Sequence, residues 1–362
     1  MTNASKLPLW TIAAPIVGWL LLGGTLLGWG GPYVALLAVG LVGSVLAAVH
    51  HAEVVAHKVG EPYGTLVLAI AVTVIEVALI VSLMLAGGPA AATLARDTVF
   101  AAVMIILTGM VGICMLVGGL KHGEQRFRLD GASGALVTLA AIAILTMVLP
   151  NYTETTPGPY YSASQLGFIA LVTLVLYGTF VLVQTVRHRD YFLPRKADGS
   201  VDEEEHADPP TTKAAWLSFV LLLVCLGAVV LLAKSLAGPM EVALTRVGAP
   251  QALLGIIIAA VVLLPEGLAA ARAAHANRLQ NSLNLALGSA LASIGLTIPT
   301  VAVLSLSSGW TLALGLDSKA TVLLLLSLFL ATISFSTGRT TILQGVVHLV
   351  LFAVYLFTTV VP

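Results

Sequence analysis

The chain has 362 residues, 58% of them hydrophobic and 9% charged, with no net formal charge. A mean hydropathy of +1.01 excludes a soluble globule, in which about a quarter of residues are charged, and the zero net charge gives no basic surface for nucleic acid. The apolar runs are continuous and ~20 residues long, so the expected fold is an all-α polytopic membrane protein rather than a barrel of short alternating strands.

The N-terminus, MTNASKLPLW, lacks a cleavage-site pattern, so the first apolar run reads as a retained helix. About eleven transmembrane spans follow by length, near 9–29, 32–57, 62–86, 97–119, 132–149, 164–186, 214–245, 250–273, 282–306, 319–336 and 340–360. The spans at 32–57 and 214–245 exceed what a bilayer needs and are expected to tilt or project beyond it. Cys114 and Cys225 lie inside apolar runs and offer neither metal spacing nor a disulfide framework.

One long polar stretch, Arg187–Lys213, interrupts the series with prolines and charge runs. It reads as an extramembrane linker, and its acids Asp202, Glu203, Glu204, Glu205 and Asp208 as a solvated loop without EF-hand spacing. The expected organisation is a first helix over 1–31, a five-helix unit over 32–186, the linker over 187–213 and a second five-helix unit over 214–362. With the N-terminus in the cytoplasm, only Arg96, Arg246 and Lys319 fall outside and Lys234 within a span; the other lysines and arginines fall inside. That asymmetry predicts a cytoplasmic N-terminus and linker, and an external C-terminus.

The two halves repeat one pattern. The second span ends HHAEVVAHKVGEP and the seventh AGPMEVALTRVGAP: an acid (Glu53, Glu241), then Val-Gly-x-Pro, then an apolar helix with one central acid, Glu76 or Glu266. An odd number of helices per unit inserts the two units upside down, the architecture of secondary transporters with a site at the membrane midplane.

A carboxylate at that depth costs several kcal/mol when charged and unpaired, so it marks an ion or proton pathway. Glu76 and Glu266 should face each other across the repeats, where both cannot stay ionised and empty. Protons or a cation must neutralise them, and competition between the two is the physical content of cation/proton exchange. Ca²⁺ wants six to eight oxygens, so other donors are needed. Pro265 deprives the Val261 carbonyl of its helical partner, and Thr73 offers a hydroxyl one turn before Glu76. In the helix after Glu266, Asn281, Asn284 and Ser289 offer oxygens, with Gly288-Ser289 the expected point of close approach; interhelical packing is the alternative for each. His50, Glu53 and His57 fall on one helical face and read as an entry pathway or gate, a Zn²⁺ site, or a solvated helix end. Glu241 takes the pathway reading by symmetry.

These residues resemble the cation/Ca²⁺ exchanger superfamily, in its bacterial calcium/proton and sodium–potassium/proton antiporter branch. The resemblance lies in AEVVAHKVGEPYGTLVLAIAVTVIEVALI, GGLKHGEQRF (118–127) and LPEGLAAARAAHANRLQNSLNLALGSALASIGLTIP, and extends over nearly the whole chain. It implies a first helix followed by two inverted five-helix repeats, cation and proton binding at Glu76 and Glu266, a supporting acid at Glu53, and close helix contact at Gly288-Ser289. Thr73 and Leu263 stand where calcium/proton exchangers are expected to carry asparagine, and Ala292 where they carry glutamine. That amide-poor shell keeps Na⁺ and K⁺ beside Ca²⁺ as expected substrates.

The reading is a secondary antiporter of the bacterial cytoplasmic membrane, not an enzyme, that exports Ca²⁺, Na⁺ or K⁺ in exchange for protons by alternating access. Its partners are inorganic cations, protons and the lipid bilayer; no cofactor is expected beyond the transported ions. The alternatives are a sodium-coupled calcium exchanger and, from another class, an intramembrane metalloenzyme built on His50, Glu53 and His57.

Overall fold

The computed structural model describes residues 7–29, 31–60, 63–87, 92–192, 210–250 and 252–361. The helices are α1 (Leu9–Leu26), α2 (Tyr33–Val59), α3 (Tyr63–Gly87), α4 (Leu94–Met104), α5 (Val111–His122), α6 (Leu129–Ala143), α7 (Ala163–Leu182), α8 (Thr212–Arg246), α9 (Ala252–His275), α10 (Leu279–Ser308), α11 (Ser318–Phe335) and α12 (Ile342–Val360). A π turn, Ile105–Met110, joins α4 to α5 into one rod. Two short strands, β1 (Gln125–Arg126) and β2 (Arg339–Thr340), pair antiparallel.

Every expected span falls on one of these helical stretches. Among the described residues nine helices are long and apolar enough to cross a membrane, and two shorter apolar stretches, Leu9–Thr25 and Ile70–Leu85, lie in α1 and α3. α8 is 35 residues long, about 50 Å at 1.5 Å per residue, well beyond a ~30 Å hydrocarbon core. The acidic residues 202–208 lie outside the described residues.

The chain forms two compact units, Met1–Gly88 with Glu203–Leu254, and Pro89–Asp202 with Gly255–Pro362. This partition cuts across the two halves of the sequence: α1, α2, α3 and α8 share one unit.

In the first unit α2 and α8 lie side by side, with Leu37, Ala228, Leu232 and Leu236 forming a buried cluster against Leu21, Leu22 and Tyr33. Small residues allow the approach: Ala47, Ala48, Ala52 and Ala228 are fully buried. His51 is buried with both ring nitrogens engaged, by the Thr11 carbonyl (3.2 Å) and Ser218 Oγ (3.4 Å), tying α2 to α1 and α8. The shared Val-Gly-x-Pro signature has a shared backbone conformation. Gly60, after α2, has φ 74°, and Gly248, after α8, has φ 67°, so each helix ends on a residue that a side chain would strain. Gly60 also has ψ 169°, a region open to glycine almost alone. Gly60→Ala is therefore expected to destabilise the protein by about 2 kcal/mol, read as a lower Tm of the detergent-solubilised chain; an unchanged Tm would show that the turn relaxes freely.

In the second unit the α4–π–α5 rod and α10 form the core. Val99, Met104, Leu107, Met115, Leu291 and Ile294 are fully buried. The π turn shifts the bonding pattern, with the Val111 amide donating to Ile106 O. The Leu107 carbonyl meets His348 Nδ1 of α12 at 2.8 Å, while His348 Nε2 lies 3.1 Å from Ser334 Oγ. α12 lies so close to α5 that a Cβ on Gly345 would come within 2.6 Å of the Leu116 backbone nitrogen.

The polar connections of this unit sort into two ends. One joins β1 to β2, Arg128 to Asp190, and Lys121 and His122 to His275. The other joins Arg96 to the Gly315 carbonyl, Asn151 to Leu316 O and Tyr160 to Ala313. The first end is the basic one, carrying Lys121, Arg126, Arg128, Arg278 and Arg339; the second carries Arg96, paired at 2.8 Å with Asp97.

Candidate functional site

Both central glutamates are buried. Glu76 is 2% exposed on α3, and Thr73, one turn earlier on the same face, is 3% exposed. They share a wall with Ile75, Leu79 and Ile80, so the hydroxyl and the carboxylate are presented from an otherwise apolar surface. Glu266 is 8% exposed on α9, between the fully buried Ala270 and the nearly buried Val262 and Leu263.

α9 runs unbroken through Pro265. Proline has no N–H, so the Val261 carbonyl one turn earlier lacks its usual donor while the helix keeps its course. Next to Glu266, Gly267 lies against Met110 of the π turn, whose Cε would be 3.6 Å from an added Cβ. Nearer the start of α9, Gly255 rests on the backbone of Asp97 and Thr98, about 3.0 Å from where its Cβ would stand.

α10 contributes less than its polar sequence suggests. Asn284 accepts from Gln280 Nε2 at 2.8 Å and donates to the Phe192 carbonyl, so its amide is engaged at both ends in packing. Asn281 and Ser289 are half-buried. At Gly288, where a close approach is expected, no atom among the described residues lies within 4 Å of a built Cβ. The close contact on α10 comes at Gly295, where the Tyr177 ring of α7 fills the space a methyl group would take, 2.8 Å away. The aromatic ring selects the smallest residue two turns further along. Ser293 and Thr297 are buried on this helix, and Ser282 Oγ donates to the Ala270 carbonyl at 2.7 Å, tying α10 back to α9.

The polar face at the end of α2 opens outward. Glu53 and His57 are exposed, and His50 is half-buried against the Trp10 ring, with centroids 5.9 Å apart. Among the described residues no three His, Cys, Asp or Glu side chains gather as a metal site. Among those residues the zinc and metalloenzyme readings of His50, Glu53 and His57 therefore find no support. Glu241 is also exposed, on α8 just beyond Pro239. Two features escaped the sequence reading. The π turn at Ile105–Met110 arises in an even apolar run with no marker, whereas Gln125 sits inside the conspicuous GGLKHGEQRF stretch.

The chain matches the model of the family described as sodium/calcium exchanger protein over residues 21–186 and 217–361. It is 48% identical to a putative ionic transporter, y4hA, of Sinorhizobium fredii, over 99% of this chain and 98% of that one. It is 39% identical to the sodium-potassium/proton antiporter ChaA of Escherichia coli, over 89% of this chain and 87% of that one. Its fold is similar to that of native YfkE (TM-score 0.75, 18% identical, covering 98% of this chain and 100% of that one). It is also similar to that of the H⁺/Ca²⁺ exchanger CAX (TM-score 0.70, 18% identical, covering 96% and 87%); at these identities the likeness is one of fold. With the family model spanning both halves and a relative sharing nearly half its residues end to end, this multi-pass membrane protein belongs to the sodium/calcium exchanger protein family.

Proposed function

We propose that the protein is a secondary cation/proton antiporter that exports cytoplasmic Ca²⁺, Na⁺ or K⁺ against entering protons, with Glu76 and Glu266 taking cation and proton in turn. The observation that carries this reading is the burial of one carboxylate in each of two corresponding apolar helices, at 2% and 8% exposure. A carboxylate so placed is neutral only with a proton or a cation on it. A group that must hold one or the other exchanges them with the side to which it is open, and alternating access to the two sides couples the flows. Glu53 and Glu241, exposed on α2 and α8, would serve as approach groups, and Thr73 with the Val261 carbonyl freed by Pro265 as additional oxygens.

The relative ChaA, a sodium-potassium/proton antiporter, supports monovalent cations as substrates beside Ca²⁺, and Thr73 and Leu263 agree by offering no amide oxygens. Orientation follows the basic residues: the end carrying Lys121, Arg126, Arg128 and Arg339 faces the cytoplasm of a bacterial inner membrane, and the C-terminus faces out. Two inverted five-helix repeats, over 32–186 and 214–362, remain the organisation we propose, and the matched glycines Gly60 and Gly248 support it.

Everted membrane vesicles with an acid interior and a pH-sensitive dye provide the test. Proton efflux is expected on adding Ca²⁺, Na⁺ or K⁺ one at a time, and none on adding Mg²⁺, which sheds its water reluctantly. If no cation releases protons, proton coupling is wrong, and Ca²⁺ uptake driven by Na⁺ alone would identify a sodium-coupled exchanger.

A further inference from the structure

The stretch GGLKHGEQRF, residues 118–127, supplies none of the proposed ion chemistry, yet its side chains converge on the end of the Glu266 helix. Lys121 Nζ donates to the His275 carbonyl at 3.2 Å, and His122 Nε2 lies 3.0 Å from the same oxygen. Gln125 Nε2 donates both to the Ala274 carbonyl and to Asn277 Oδ1, each at 3.0 Å. The last carbonyls of a helix lack partners within it, and here three side chains from one neighbouring segment supply donors to them. Asn277 is the one non-glycine residue among those described with positive φ, 62°, so the α9–α10 turn is held in a conformation that benefits from an outside grip.

Gln125 is set for this task. It is 2% exposed, and its Oε1 occupies a notch that exists because residue 118 is glycine, in the space a Cβ there would take. Its backbone is fixed by pairing with Thr340 in β2, and neighbouring Glu124 reaches Arg339 at 3.7 Å. The grip is therefore anchored on the body formed by α5 and α12.

The grip adds to the points at which α9 meets the rest of its unit: Gly255 against Asp97 and Thr98, Gly267 against Met110, and the Ser282 bond to Ala270. Glu266 lies nine residues before His275, about 14 Å along the helix, so a displacement at the end of a stiff helix reaches the carboxylate.

We propose that Gln125, backed by Lys121 and His122, is a positioning residue that clamps the end of α9 and thereby sets where Glu266 is held. The proposal rests on Glu266 being an ion-binding group. Gln125→Leu keeps the volume and removes both donated hydrogen bonds. In the full-length protein it is expected to raise the half-saturating cation concentration about tenfold and to move the pH profile of exchange. Amide hydrogen exchange over 270–278 is expected to speed up by a similar factor.

Lys121→Met, at an exposed position, should act in the same direction more weakly, and it serves if Gln125→Leu does not fold. Ser327→Ala removes an equally buried hydrogen bond in α11. It is expected to lower stability without moving half-saturation, the pH profile or amide exchange at 270–278. Unchanged amide exchange in both clamp variants, or faster exchange with unchanged half-saturation, overturns the proposal, as does a Ser327→Ala shift of equal size. The amide measurement needs no transport. Failure of the Glu266 reading, detected as exchange surviving Glu266→Gln, is thus distinguished from failure of the clamp.

Discussion

Glu76→Gln and Glu266→Gln are each expected to reduce cation-dependent proton movement by about a hundredfold or more, while the protein still folds. Glutamine preserves the volume and one carbonyl oxygen, so the packing of Thr73, Ile75 and Leu79 around position 76, and of Val262 and Ala270 around position 266, is retained. It cannot ionise, so it neither releases a proton nor attracts a cation with a full charge. The loss of a charge-assisted interaction is worth roughly 3 kcal/mol, which sets the hundredfold scale at 1.36 kcal/mol per tenfold. Because a neutral amide replaces a group that is hard to bury charged, Tm should hold or rise. Dye-reported proton flux in vesicles, with Tm measured in parallel, checks both halves of the expectation. Flux surviving in either variant removes that glutamate from the mechanism. A Glu→Asp change retains titration but withdraws the carboxylate by one methylene, so it is expected to leave a partial activity with weaker cation affinity.

The largest stability effect is expected at Gly345. A Cβ there would come within 2.6 Å of the Leu116 backbone nitrogen and 3.0 Å of the Gly112 carbonyl. Backbone cannot rotate aside as a side chain can, so Gly345→Ala must push α12 away from α5. That displacement would pull His348 from the Leu107 carbonyl and loosen the Gly112 contact with Leu349 as well. Overpacking of this kind costs about 3 kcal/mol, a large share of the 5–15 kcal/mol that holds a typical domain, and Gly345→Leu is expected to yield no folded protein. Gly134, on α6, has no atom within 4 Å of its built Cβ among the described residues. Gly134→Ala should therefore leave Tm unchanged or raise it, since alanine favours a helix by up to about 1 kcal/mol. Equal Tm values for Gly345→Ala and Gly134→Ala would show that the α5–α12 contact is not tight.

The span positions were legible because a bilayer imposes a length and a composition on any helix that crosses it; 214–245 and 340–360 fall within a few residues of α8 and α12. The two glutamates stood out for the same reason: one acid in an apolar run is costly enough to need a purpose. Val-Gly-x-Pro was legible as a signature repeated in the two halves, and Gly60 and Gly248 share a positive φ there. Contacts on α10 were not legible. Asn284 and Ser289 both offered oxygens in sequence, yet Asn284 bridges Gln280 and Phe192 while among the described residues nothing lies within 4 Å of a Cβ built on Gly288. Small and amide residues serve packing and binding alike, and only the neighbour decides which.

The sequence by itself determined the membrane class, the helix count and the two acids, since each follows from local hydropathy and from charges that cannot be hidden. Tertiary structure alone decided three further things: that Gln125 reaches Ala274 and Asn277, that His348 meets a π-turn carbonyl 241 residues away in sequence, and that Gly345 and Gly295 lie hard against neighbouring helices. Those contacts join segments far apart in the chain, and no local pattern records which helix will lie beside which. Their identity is fixed only when side chains of particular shape compete for the same few ångströms.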